Sequence, residues 1–391
     1  MIRQLAWKAA ALLLLVLPGS AFAQARYTAK VSGDVVQLRD AKADMVVSVL
    51  TSVANPYEIV IHGHDVIRMG IHSVDEMRAN PGLNGIPLLA PFANRLDGTY
   101  FYANGRKYNF DLENGTVRGP VPIHGYISGA AGWQIVQVKA DGNAAWITEK
   151  LDFYKNPLFM QNFPFAHVLT RTFRLSDGAL EVGLKIDNLA NQPMPVAIGY
   201  HPFFWLTDSN RSEWTLSAPA QTHWLLTDAK LPTGRTEPAD AFWGGDRHAV
   251  PLSRFAGKTI DDLFSGLEKG SDGRTTVHLQ GKKQGLSVIM GPKFKALVIY
   301  SPPAPQPRPA GFAPPRPQGP RLAPVSTGPA LPLSATDNAP VPPERGSIAI
   351  EPMAGISNSL NATQERTYTE LQSVPPGGSW QESFWLKPTG Y

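Results

Sequence analysis

Short runs in which apolar and polar residues alternate, or in which β-branched residues cluster, recur from about residue 27 to the end of the chain. They include "KVSGDVVQL", "YEIVIHG", "GWQIVQVKA", "AAWITEKLDF", "HVLTRTFRL", "ALEVGLKIDNL", "TTVHLQG", "GLSVIMG" and "ALVIYS". Alternation with period two sends one set of side chains to a core face and the other towards solvent. Gly, Asn, Asp and Pro separate the runs. The pairs Asp141-Gly142, Asp177-Gly178 and Asp272-Gly273 are turn formers, because Gly takes positive φ without a steric penalty. Helical periodicity is nearly absent, with 72–79 the one short candidate. Many short strands with regular turns predict an all-β sandwich or barrel and argue against βαβ units. No repeat of about 20–50 residues is visible, which disfavours a propeller or solenoid.

One segment interrupts the pattern. Residues 302–344 are about one-third proline and carry little apolar mass. Proline lacks the donor that a strand ladder needs and favours polyproline II, so this stretch is expected to be an exposed, disordered insertion. It separates "ALVIY" from "SIAIE", and the roughly forty-five residues after it are too few for an independent cysteine-free domain. The expectation is therefore a single sandwich domain over 24–391 that the insertion interrupts.

The amino terminus changes the setting. Arg3 and Lys8 precede an apolar run from Ala9 to Leu17, and "AFA" at 21–23 has the small-x-small form of a cleavage site. This reads as a secretory signal peptide over 1–23, so the chain is expected to be exported, periplasmic or secreted. The run falls short of the ~20 residues that cross a bilayer, and with no Cys there is no lipid anchor, so no membrane attachment is expected after cleavage. The absence of Cys also removes disulfides and thiolate chemistry. Net charge is +4, and without Arg3 and Lys8 it is +2 (4 minus 2). No basic run is interleaved with aromatics, so a nucleic-acid partner is not expected.

Four places put polar side chains where packing alone would not. In "GIPLLAPFANRLDG" (85–98), Asn94-Arg95 ends an apolar run bracketed by prolines. The planar fork of Arg95 suits paired hydroxyls or a carboxylate, and a structural ion pair is the plainer alternative. In "PIHGYISGAAGW" (122–133), His124 precedes a run of small residues, at a strand end or loop. In "AIGYHPFFWL" (197–206), His201 stands before Pro202, which denies a ladder donor and biases His201 towards extended geometry. Each histidine taken alone also fits a satisfied structural role. In "SIAIEPMAGISNSLN" (347–361), a buried-looking strand ends in Glu351-Pro352. Burial there raises a carboxyl pKa and suits it to proton transfer, and His with Glu is the usual acid–base pair near neutral pH.

These stretches resemble, in order and over about residues 29 to 388, the aldose 1-epimerase (galactose mutarotase) family. The family's Pro-flanked run ending in Asn-Arg resembles "PLLAPFANR", and its His-Gly followed downstream by Trp resembles "IHGYISGAAGW". Its Gly-x-His-Pro-aromatic-Phe resembles "GYHPFF", its Asp-centred turn before Phe resembles "IDDLF" (260–264), and its Glu-Pro strand end resembles "IEPMAGISNSLN". The resemblance implies a large galactose-mutarotase-like β-sandwich, or supersandwich, with an open cleft on one face. It implies Glu351 as the base that takes the C1-hydroxyl proton and His201 as the acid that protonates the ring oxygen. Arg95, His124, Asp261 and Asn94 are implied to bind or polarise the sugar.

The implied reaction interconverts the α and β anomers of free hexoses such as glucose or galactose. It has no redox or phosphate step, so no cofactor and no metal is expected, and the partner is a small-molecule sugar. Two features depart from the family's pattern. Met353 stands where a Gln is frequent, which loses a polar contact, and the proline-rich insertion enters just before the Glu351 strand. Two alternatives compete: a non-catalytic carbohydrate-binding protein on the same fold, and a hexose-6-phosphate 1-epimerase. A phosphate clamp calls for several cations, and only Arg95 and Arg118 stand out near the motifs.

Overall fold

The computed structural model describes residues 25–67, 73–79, 81–117, 121–303 and 345–391. The segment 1–23 expected to be a signal peptide, Arg118 and nearly all of the proline-rich stretch lie outside the described residues. The alternating runs form strands as their periodicity demands. His167–Ser176 and Ala179–Asn188 pair antiparallel along their whole lengths. Their connection is the two-residue turn Asp177-Gly178, with φ of 48° and 66°. Both positive values match the turn whose twist suits a hairpin.

Three antiparallel sheets carry the architecture. A five-stranded sheet runs in chain order from Tyr27–Ser32 to His64–Asp65. A nine-stranded sheet is built from two groups of four strands. Ser379–Thr389 lies between the groups and pairs with Gly285–Met290 on one side and Ala179–Asn188 on the other. An eight-stranded sheet contains Ile260–Leu267, Ala296–Ser301, Ile348–Met353, Gly199–Tyr200 and Leu88–Leu89.

The two large sheets share one core. Ile348, Ile350, Leu297 and Ile299 from the eight-stranded sheet join Val182, Leu184, Phe384 and Leu386 from the nine-stranded one. Tyr200 meets Phe384 across the sandwich at 4.8 Å between ring centres. Helices among the described residues are short, and Val74–Ala79 falls within the 72–79 candidate.

Period-two alternation now fixes which side chains face away from that core. Ile348 and Ile350 point into the sandwich, so Glu351 and Met353 lie on the opposite face. Register carries this face across the sheet, because Glu351 pairs with Val298 and Asp261 with Tyr300. The strand order thus lays Glu351, Val298, Tyr300 and Asp261 side by side on one face.

"IDDLF" departs from its expected turn. It forms part of the strand Ile260–Leu267, because Leu263 and Phe264 each have a buried cluster to fill on opposite faces. Met353 is wholly buried in a small apolar cluster with Leu89, Ala93, Leu263, Val298 and Tyr368, so its side chain serves packing beneath the open face.

Candidate active site

Glu351 and His201 are in direct contact, with Oε1 3.2 Å from Nε2. His201 lies between the short strands Gly199–Tyr200 and Phe203–Phe204, which both pair with the Glu351 strand. Tyr200 faces the core, so the next side chain, His201, emerges on the open face beside Glu351. The His201 ring packs against Phe203 at 4.9 Å and Tyr300 at 6.3 Å between centres.

His124 closes another side. Its ring stands edge-on to His201 at 5.1 Å. The segment 122–127 lies along the 90–95 stretch, with the His124 N–H donating to the Asn94 carbonyl at 2.8 Å and the Tyr126 N–H to that of Ala90 at 2.8 Å. Asn94 and His124 both adopt left-handed backbone, with φ of 55° and 62°. Gly125 is there because a Cβ would lie 2.0 Å from the Ala90 oxygen.

Arg95 reaches across to Asp261, with Nη2 3.7 Å from Oδ2. The Asn94 side-chain oxygen accepts from the Arg95 N–H at 2.9 Å and from its Nη1 at 3.2 Å. Asn94, Arg95, Lys230, Asp261, Leu263 and Val298 line a shallow recess here. The structure therefore brings all six residues singled out from the sequence into one neighbourhood. Sequence reasoning missed the aromatic wall of Phe203 and Tyr300, and also Asn358. Asn358 donates its N–H to the Arg95 carbonyl at 2.9 Å and accepts from the Asp97 N–H at 3.2 Å. Its signal was present in the Asn that follows the Glu351 strand.

The electrostatics favour neutral forms of the central pair. Burial raises the Glu351 carboxyl well above its ordinary range, the Asp261 charge adds to that, and Arg95 opposes it. Burial lowers the His201 imidazole to about 4, and the positive charge of Arg95 pushes the same way. Asp261 is also raised, chiefly by burial, against the pull of Arg95. Across the 3.2 Å contact, burial thus disfavours the charged form of each partner. The second Glu351 oxygen is buried and makes no hydrogen bond. Such a strongly perturbed, paired set on a sheet face makes this neighbourhood the candidate functional site.

The fold is that of a galactose-mutarotase-like β-sandwich. A galactose mutarotase-like protein from Clostridium acetobutylicum superposes with a TM-score of 0.69 at 18% identity, covering 93% of this chain and 98% of that one. Galactose 1-epimerase from Lactobacillus acidophilus NCFM gives a TM-score of 0.63 at 14% identity, over 93% and 98% of the two chains. Among curated proteins, the uncharacterised YphB of Escherichia coli K12 is 28% identical over 138 residues. That match spans 35% of this chain and 41% of YphB. The family model for aldose 1-epimerase matches residues 62–386, and the chain belongs to that family.

Proposed function

We propose that the protein is an aldose 1-epimerase that interconverts the anomers of free hexoses such as glucose or galactose. The observation that carries this reading is the buried contact between Glu351 and His201. With a proton moved from Glu351 to His201, the pair becomes a carboxylate and an imidazolium, the base and acid that ring opening requires. Glu351 then takes the proton of the C1 hydroxyl as the C1–O5 bond breaks, and His201 delivers its proton to O5. The product is the open aldehyde. Rotation about C1–C2 presents the other face of the carbonyl, and closure returns both protons. No proton is exchanged with water, which suits a dry pair. Each positioned group contributes about 10²–10⁴-fold.

Arg95, His124, Asp261 and Asn94 are assigned to holding sugar hydroxyls, since they border the pair and present both donors and acceptors. Arg95 and Lys230 in the recess face Asp261 and Asp262, a balanced charge that supports a neutral sugar over a phosphorylated one. The amino-terminal segment supports an exported enzyme.

The test is the decay of optical rotation of fresh α-D-glucose and α-D-galactose. The wild type should accelerate it, and Glu351→Gln should abolish the acceleration while the variant stays folded and binds sugar. Activity of the variant within about tenfold of wild type removes Glu351 as the base.

A further inference from the structure

Beneath the site, inside the sandwich, lies a charged side chain that the proposed chemistry does not use. Arg171 is 1% exposed, on the inward side of the strand His167–Ser176. Its Nη2 donates to the Ile86 carbonyl at 3.0 Å and its Nη1 to the Ala54 carbonyl. Its guanidinium carbon lies 4.7 Å from the centre of the Phe173 ring and 5.6 Å from that of Tyr200. Glu149 stands directly opposite on the neighbouring strand, also wholly buried, and neither of its carboxyl oxygens makes a hydrogen bond.

A buried guanidinium is a costly way to hold a core together. Replacing a buried charged pair by apolar side chains of similar volume is often neutral or stabilising. Glu149 gives the guanidinium no hydrogen bond, so the reason for Arg171 lies in the groups it does reach. Ala54 lies at the turn into the strand Asn55–Ile61 of the five-stranded sheet. Ile86 begins the segment that passes through Leu88–Leu89 and ends in Asn94-Arg95; its N–H is already fixed by the Asn55 side chain at 2.8 Å. Tyr200 immediately precedes His201. One planar fork thus reaches the carbonyl ahead of the sugar-binding segment, the neighbouring sheet and the residue next to the candidate acid. Only arginine offers several donors in one rigid plane for this.

We infer that Arg171 is a positioning residue for the active site, tethering the 86–95 segment and Tyr200 so that Arg95 and His201 meet the sugar in register. The inference rests on the mutarotase reading for its effect on turnover, but the tether itself is a structural statement with its own readout. Burial pushes the Glu149 carboxyl up to about 8, so near neutral pH it is protonated and the two carbonyls are the guanidinium's principal partners.

The experiment pairs the double variant Arg171→Met/Glu149→Leu with Arg171→Lys. Three quantities are measured: melting temperature, kcat for mutarotation per folded molecule, and hydrogen exchange at the amides of Ala93 and Leu96. Those amides donate to the Ala197 and Pro122 carbonyls at 2.7 and 3.0 Å. The double variant leaves no unpaired charge in the core but strips the Ala54 and Ile86 carbonyls of their donor, so its melting temperature should fall, and kcat is taken per folded molecule for that reason. Its kcat should fall at least tenfold, since misplacement of about 1 Å costs on the order of 10²-fold, and the two amides should exchange at least tenfold faster. Arg171→Lys keeps the charge but has no fork, and should lose kcat and protection in the same direction. Wild-type kcat with unchanged exchange in either folded variant overturns the inference. If the wild-type chain shows no mutarotation at all, the proposed activity fails, and the exchange at Ala93 and Leu96 still decides the tether.

Discussion

Glu149→Gln isolates what the buried carboxyl costs the fold. The group is wholly buried opposite Arg171, and burial pushes it from its ordinary 4.5 to about 8, with Arg171 pulling weakly downward. Below pH 4.5, both the folded and unfolded chains hold the proton, and no penalty arises. Above 4.5 the unfolded chain releases it while the folded chain keeps it until about pH 8. Stability is therefore lost as pH rises through this window, at about 1.4 kcal/mol per unit. The loss amounts to roughly 3 kcal/mol by pH 7 and about 4 kcal/mol by pH 8. A glutamine amide has the same shape and no proton to lose. The variant should match wild type near pH 4.5 and exceed it by about 3 kcal/mol at pH 7. Urea unfolding at pH 5, 7 and 8, at constant ionic strength, reads this directly. A stability gap that stays constant across those pH values, or a wild type that is the more stable at pH 8, refutes the reasoning.

Two further substitutions probe the site itself. His201→Asn should lower kcat and kcat/KM together by about 10²–10⁴-fold, since its proton moves only as the C1–O5 bond breaks; steady-state kinetics with a thermal melt checks this, and early melting with normal kcat per folded molecule would make His201 a structural residue. Gly125→Ala forces a Cβ to 2.0 Å from the Ala90 oxygen at a φ of 59° and should destabilise the fold by about 1–3 kcal/mol; an unchanged melting temperature contradicts it.

Much of the fold was legible because alternation is a local property. The hairpin at Asp177-Gly178 and the strands on either side follow from period two and from the backbone freedom of Gly. The strand Pro232–Pro238, which holds two prolines and almost no apolar residues, offered no such pattern; it forms because Ala220–Leu226 provides an edge to pair with. Asp261 was expected in a turn because "IDDLF" resembles the family's Asp-centred turn before Phe, yet pairing with Ala296–Ser301 holds it in a strand.

The candidate site divides the same way. Asn94, Arg95, His124, His201 and Glu351 announced themselves as polar residues in apolar or turn settings, and Asp261 entered only through the family resemblance. Their convergence depends on strand order, which no local pattern contains. Phe203 and Tyr300 looked like ordinary strand aromatics. Arg171 and Glu149 could have been found by phase alone: Glu149 alternates in step with Ala145, Ile147 and Leu151, and Arg171 with Leu169, Phe173 and Leu175. A charge in step with a buried face is a buried charge.

Ser379–Thr389 follows every other described strand in the chain, yet it occupies the middle of the largest sheet. Without it, that sheet would be two separate groups whose edges, at Gly285–Met290 and Ala179–Asn188, display unpaired amides and carbonyls. Joining them closes loops that span half the chain, because Glu181 must find Trp385. Non-local pairings of this kind slow folding, and any state that lacks the closing strand carries two adhesive edges. The assembly step most vulnerable to misassociation is the zipping of that one strand, far from the chemistry and late in the life of the nascent chain.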